Sequence, residues 1–353
     1  MVKVAFLGGG TGGHLAPGVA VAHELRRRGH EAVFLIAGRE VEHALLDPSG
    51  LPARELFGDR PRPSALDLPS WALATARWRR AVQRDDPAAI VVLGGWVALP
   101  AVLTGFFGRP SVLIEQNLRA GRVQRLLGGR VEHACLAGEG ADMPRGRKST
   151  RVTGNPAPDL AAVPRELAAA RLGLAAGRRT LLLMGGSQGA GDLNALLPVL
   201  SAVLASTGET WQVLNITGHQ PAPIAAHGAV PVVRRRFVED MAAAYSITDV
   251  AVCRAGGSTV SELAVTGTPS ILVPYPHHAD HHQEANGQAL VSAGGALMTG
   301  RDDPTGQRSA PALLARALPR LAEMSVAALR TGRPEATRDV ADVVLAAAAG
   351  SGA

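Results

Sequence analysis

The sequence predicts an α/β protein made of two Rossmann-like domains whose parallel sheets face a central cleft. Three observations carry this. Short apolar runs alternate with helical stretches along the whole chain, the pattern of parallel strands joined by crossover helices. Two of those runs end in glycine-rich turns that lead into a helical pattern. They are Val4-Ala5-Phe6-Leu7-Gly8-Gly9-Gly10-Thr11-Gly12-Gly13-His14 and Leu181-Leu182-Leu183-Met184-Gly185-Gly186-Ser187-Gln188-Gly189-Ala190. Glycine permits the tight turn, and the helix start beyond it offers free N–H groups to an anion. Between the halves, Gly154-Asn155-Pro156-Ala157-Pro158 interrupts the alternation as a linker.

In the first half, strands are expected at 3–7, 31–36, 90–93, 111–114 and 131–136. The clearest helix runs over 18–28, with Val19, Ala22 and Leu25 on one face and Gly29 as its stop. After the linker, strands are expected at 180–184, 211–216, 230–233, 250–253 and 270–273, and the tail from Ala310 reads as helical.

The chain has 353 residues, 46% of them hydrophobic and 19% charged, which suits two globular domains with full cores. No apolar run reaches the ~20 residues of a spanning helix. Only Lys3 precedes the first apolar strand, so no signal peptide is expected and the cytoplasm is the expected compartment. Cys135 and Cys253 make no disulfide framework, in keeping with a reducing environment. The net charge is +6, almost all of the excess being arginine, which suits phosphate ligands or an anionic membrane surface. With 3% aromatic residues and no reading motif, nucleic acid is not an expected partner.

The first glycine loop fits a dinucleotide fingerprint poorly: Ile36-Ala37-Gly38 ends the second strand where an acidic residue belongs. His14 closes the turn and is either a general base or a capping and packing histidine. The second loop lacks a Gly-Lys-Ser/Thr ending and is no Walker loop; it holds a diphosphate or is a plain tight turn. A third block, Cys253-Arg254-Ala255-Gly256-Gly257-Ser258-Thr259-Val260-Ser261-Glu262, is a strand end, a turn and a helix start. Glu262 either completes a capping box with Ser258 or accepts from a ribose diol. A fourth, from Pro274 to Asn286, carries His277, His278, Asp280, His281, His282 and Gln283; its spacing matches no metal site and suits a sugar pocket better. Residues 66–82, with Trp71, Trp78, Arg77, Arg79 and Arg80, read either as a membrane-interface segment or as an amphipathic helix packed on the domain.

Taken in order, these blocks resemble the MurG-type glycosyltransferases. The resemblance spans essentially the whole chain: 8–17 (GGGTGGHLAP), 94–100 (GGWVALP), Glu115-Gln116-Asn117, Gly154-Asn155-Pro156, 185–190 (GGSQGA), 237–245 (FVEDMAAAY), 253–262 (CRAGGSTVSE) and 274–286. It implies the GT-B fold: an N-terminal domain over 1–157, a UDP-sugar domain over 158–335, and a C-terminal helix over 336–353 that returns to the first. It implies an inverting transfer of N-acetylglucosamine from UDP-GlcNAc to the 4-hydroxyl of the MurNAc of lipid I, with no metal or other cofactor. In that family's terms Val238 serves the uracil, Glu262 the ribose, and Ser187, Gln188, Gly189, Arg254, Gly256, Gly257 and Ser258 the diphosphate. His282 and Gln283 serve the sugar, and Thr11, Gly12 and Gly13 belong to the donor side of the first loop. His14, Glu115 and Asn117 are the catalytic candidates, with His14 as base. Gly10, Trp71, Trp78, Trp96 and Phe106 form the acceptor and membrane side, with Phe107 beside them. The implied setting is the inner face of the cell membrane, with its anionic surface and cell-wall synthesis proteins as partners.

The sequence departs from the family pattern at Pro158, where an arginine is usual, at Ile114 in place of histidine, and at Trp96 and Ala98 in place of tyrosine and serine. These changes keep two alternatives open: a related transferase with another lipid or small-molecule acceptor, and a UDP-sugar-binding scaffold without turnover.

Overall fold

A computed structural model describes residues 1–350 except 10–11, 59–62, 65–66, 187–188, 221–229 and 277–280. The chain divides into two compact units, one of Met1–Pro158 with Pro334–Ala353, the other of Asp159–Arg333.

The first unit holds seven parallel strands: β1 (Lys3–Gly8), β2 (Glu31–Ile36), β3 (Ala53–Glu55), β4 (Ala89–Gly94), β5 (Ser111–Glu115), β6 (His133–Leu136) and β7 (Ser149–Val152), in the order β3-β2-β1-β4-β5-β6-β7. The second holds six: β8 (Arg179–Met184), β9 (Trp211–Ile216), β10 (Val232–Arg235), β11 (Val250–Cys253), β12 (Ser270–Leu272) and β13 (Ala296–Met298), in the order β10-β9-β8-β11-β12-β13. All pairings are parallel. Each sheet therefore reverses its winding beside its first strand, between β1 and β4 and between β8 and β11. In a doubly wound sheet the crevice beyond the carboxyl ends at that reversal is where a ligand sits.

The continuous apolar runs follow from burial on both faces. In β1, Val4 and Phe6 join one core layer while Ala5 and Leu7 join the other. In β8, Leu181 and Leu183 face one layer, Leu182 and Met184 the opposite one. Helix Ala336–Ala349 completes the first unit. Val340 and Val344 are buried with Phe6 and Leu25, and the Thr337 hydroxyl donates to the Ala157 carbonyl at 2.8 Å.

The expected strands are present, and β3, β7 and β13 are additions: short strands toward the sheet edges, β3 and β7 reading as polar (Ala-Arg-Glu, Ser-Thr-Arg-Val). The first helix starts earlier than its apolar period shows. It runs Gly12–Arg27 with Pro17 inside it. No helix is long and apolar enough to cross a membrane among the described residues.

Candidate functional site

All the glycine motifs lie at the carboxyl ends of the strands flanking the two reversals. In the first unit the backbones meet directly. Gly95, after β4, has φ +74°, and a Cβ on it would stand 2.3 Å from the Gly9 carbonyl oxygen. Only glycine allows the loops after β1 and β4 to pack this closely. The Glu42 carboxylate, fully buried, seals the loop's other side: its Oε1 lies 2.1 Å from where a Cβ on Gly9 would be. Glu42 Oε2 accepts from the Gly38 and Arg39 N–H groups at 2.8 and 2.9 Å. The sequence pattern did not single out this acid, and its oxygens serve the backbone rather than a ribose. His14 stands half-buried in the first turn of helix Gly12–Arg27, and Gly13 beside it is exposed. Gly12 opens that helix. Gly10 and Thr11 lie outside the described residues.

Glu115 ends β5 on the same sheet edge and is 1% exposed. Its Oε1 accepts from the Asn117 backbone N–H at 2.8 Å and from Asn117 Nδ2 at 3.4 Å, while Oε2 is buried with no hydrogen-bond partner among the described residues. Burial pushes the Glu115 carboxyl up to about 7, against the lowering effect of the Asn117 and Gln116 bonds. Glu115 and the half-buried Asn117 are thus brought together as one turn, with the carboxylate shaping it.

Of the aromatic residues expected at a membrane face, Trp78, Trp96 and Phe106 are core residues. Trp78 is fully buried, Phe106 is 8% and Trp96 9% exposed. Trp71 is half-buried and closes an edge-to-face cluster with Phe57 and Trp96, and its indole N–H donates to Ser64. Helix Leu68–Asp85 turns Trp78 into the core and packs Trp71 against it, which accords with the packed-helix alternative for that segment; Trp96 and Phe106 lie outside the helix and are buried in the same core layer. Outward apolar residues in this region include Leu68 and Leu73 on the helix itself and Leu103 and Phe107 nearby, the last two at 71% and 39% exposed, with Arg79 and Arg80 also exposed.

In the second unit, Gly189 has φ +72° and a Cβ there would meet the Thr217 carbonyl oxygen at 2.3 Å, so the loop after β8 lies against the end of β9. Ser187 and Gln188 lie outside the described residues, as do His277, His278 and Asp280. After β11, Gly256 is the N-cap of helix Gly257–Thr266 and brings no side-chain cap; no acid occupies the first turn. That helix start suits an anion electrostatically. Ser258 is the second helical residue, so it forms no capping box with Glu262. Glu262 is instead engaged by Tyr245, whose hydroxyl donates to its Oε2 at 2.8 Å. Burial pushes the Glu262 carboxyl up to about 7, with the Tyr245 bond acting against it.

Arg254 was expected at the diphosphate. The structure turns it into the protein: Nη1 donates to the Val273 and Pro274 carbonyls at 3.0 and 3.2 Å, and Nη2 to Asp192 Oδ2 at 2.5 Å. At 6% exposure, with Tyr275 covering the guanidinium at 5.3 Å, it ties the end of β11 to the segment at Val273 and Pro274 and to helix Gly191–Asn194. Val238 buries its side chain, which leaves its backbone as the part a base can read, beside the exposed Phe237. His282 and Gln283 begin helix His282–Ala293, half-buried, and Gln283 Oε1 accepts from the Tyr275 N–H at 2.8 Å. Among the described residues no group of three histidines, cysteines or acids is placed to hold a metal ion. Sequence reasoning passed over the roles of Glu42, Asp192 and Tyr245, each of which acts on a residue remote in sequence or on backbone.

Residues 4–135 match the family model for the glycosyltransferase family 28 N-terminal domain, and 180–341 that for its C-terminal domain. The chain is 37% identical to the UDP-N-acetylglucosamine--N-acetylmuramyl-(pentapeptide) pyrophosphoryl-undecaprenol N-acetylglucosamine transferase of Pseudomonas entomophila, over 99% of this chain and 98% of that protein. It is 36% identical to the protein of the same name in Anaeromyxobacter sp. (strain K), over 98% of this chain and 92% of that one. The crystal structure of Acinetobacter baumannii MurG covers 98% of this chain, with all of that chain matched, at a TM-score of 0.70 and 28% identity. With both domain models matched in order and full-length relatives above a third identical, this chain belongs to glycosyltransferase family 28.

Proposed function

We propose that the chain transfers N-acetylglucosamine from UDP-N-acetylglucosamine to the MurNAc 4-hydroxyl of undecaprenyl-pyrophosphoryl-MurNAc-pentapeptide, with inversion at the anomeric carbon. The observation that carries this is the full-length match to transferases of that name. The site geometry supports it. The uncapped start of helix Gly257–Thr266 suits the diphosphate and the charge that develops on UDP as it leaves. Glu262 accepts from the ribose hydroxyls, the Val238 backbone serves the base, and His282 and Gln283 serve the sugar. His14 takes the proton from the attacking hydroxyl. Loops 10–14 and 115–117 serve the acceptor side.

Three of the family departures, Ile114, Ala98 and Trp96, are buried within the core layers of the first sheet, which supports reading them as exchanges of packing. This favours the lipid-linked acceptor over the other-acceptor and scaffold readings. For the membrane surface, Leu103 and Phe107 with Arg79 and Arg80 are the residues we assign, on the cytoplasmic face, in place of the buried tryptophans. The test is UDP release from UDP-N-acetylglucosamine with a lipid I analogue and a panel of other acceptors. Turnover with the analogue supports the proposal; turnover with another acceptor alone, or donor binding without turnover, overturns it.

A further inference from the structure

We propose that Tyr245 is the positioning residue for Glu262, fixing its carboxylate for the donor ribose and setting the preference for a ribonucleotide over a deoxyribonucleotide. This rests on the reading of Glu262 as the ribose acceptor. Tyr245 belongs to helix Met241–Ile247, is 3% exposed, and reaches across to helix Gly257–Thr266. Its hydroxyl occupies Glu262 Oε2 at 2.8 Å. No described residue donates to Oε1, and that atom is not sealed from the surface. One oxygen is therefore tied to the protein and the other left open.

A ribose diol offers two O–H donors, and only the ionised carboxylate is purely an acceptor. Burial opposes that ionised form, and the Tyr245 bond is what supports it. The thiol and the phenol beside it stay protonated through the neutral range. The Cys253 thiol at the end of β11 is pushed up to about 12 by burial, and burial raises the Tyr245 phenol well above its usual value. Arg254 acts on Cys253 and is held by Asp192. His281, His282 and Glu284 beside one packed helix and Glu323 on the other, Leu321–Leu329, do not shift the Glu262 carboxyl. A carboxylate held in place cannot swing away when one hydroxyl is missing, so a 2′-deoxyribose leaves it unsatisfied.

The experiment compares Tyr245→Phe and Glu262→Gln with the parent chain, using UDP-N-acetylglucosamine as donor and UDP and 2′-deoxy-UDP as inhibitors. Tyr245→Phe is expected to raise the donor KM about tenfold with kcat nearly unchanged. It should move the acid limb of donor affinity, read as the dissociation constant of UDP-N-acetylglucosamine without acceptor so that the His14 base does not enter, to higher pH and bring the two inhibition constants together. Glu262→Gln keeps the tyrosine bond and should flatten that limb. A Tyr245→Phe chain with unchanged KM, acid limb and inhibitor ratio, beside an impaired Glu262→Gln, overturns the role of Tyr245. A Glu262→Gln chain with intact donor KM and acid limb overturns the ribose reading itself. The chain has two tyrosines, so growth on 3-fluorotyrosine in a Tyr275→Phe background gives a second arm that keeps the ring. The more acidic phenol donates more strongly, and the acid limb should move down; an unmoved limb counts against the proposal.

Discussion

Arg254 and Asp192 form a pair at 2.5 Å that joins the end of β11 to the short helix Gly191–Asn194 beyond β8. The pair spans the winding reversal of the second sheet, so it sets the spacing of the two loops assigned to the diphosphate. Asp192 is 30% exposed and regains water when Arg254 is removed, so the loss comes from the buried guanidinium and its bonds to the Val273 and Pro274 carbonyls, about 1–3 kcal/mol. Arg254→Ala is expected to lose that much in urea unfolding and to weaken donor binding. An Arg254→Ala chain of unchanged stability would show that the clamp is dispensable.

Glu115 makes stability depend on pH. Its carboxyl rises from 4.5 to about 7 on folding, so the folded chain binds the proton more tightly than the unfolded one. The contribution of Glu115 to stability is therefore full below about 4.5 and falls as pH rises through about 7. The loss is on the order of 3 kcal/mol, each unit being about 1.4 kcal/mol. Glu115→Gln removes the ionisation, so its urea midpoints at pH 5 and pH 8 should lie closer together than those of the parent.

His14→Ala should lower kcat by about a hundredfold, the lower end for a general base, with little change in donor KM. Steady-state kinetics at saturating acceptor read both. A rise in donor KM alone would place His14 with binding, and unchanged kcat would remove it as base.

The surface and the core of the Leu68–Asp85 region separate cleanly. Leu103→Ala with Phe107→Ala should weaken association with anionic vesicles and leave the fold intact, because both side chains are exposed. Trp78→Ala should instead cost about 3–5 kcal/mol through the cavity it opens. Vesicle sedimentation and thermal unfolding, run on both variants, tell the two roles apart.

The central strands were legible because burial on both faces writes an unbroken apolar run, as in Val4–Leu7 and Leu181–Met184. The three short outlying strands were not: Ala53-Arg54-Glu55 and Ser149-Thr150-Arg151-Val152 are held by backbone pairing to one neighbour and have little apolar pattern to show. Pro17 hid the true start of the first helix, since its period suggests a boundary that the chain passes through. The glycine motifs located the ligand edges, but the direction of a side chain was beyond reach. Arginine 254 and the tryptophans have residue types that suit a ligand or a membrane, and only packing shows that they serve the interior. Tyr245 and Glu262 sit on different helices, so no local spacing pairs them.

The last helix gives the chain an order of assembly during synthesis. Residues Asp159–Arg333 form a unit that is continuous in sequence, whereas the unit that begins at Met1 includes Pro334–Ala353. Phe6, Leu25 and Val91 have Val340 and Val344 in their core layer, so on the ribosome that face stays open until these residues emerge. The half translated second can close first, and the half translated first completes its core only when the tail has emerged.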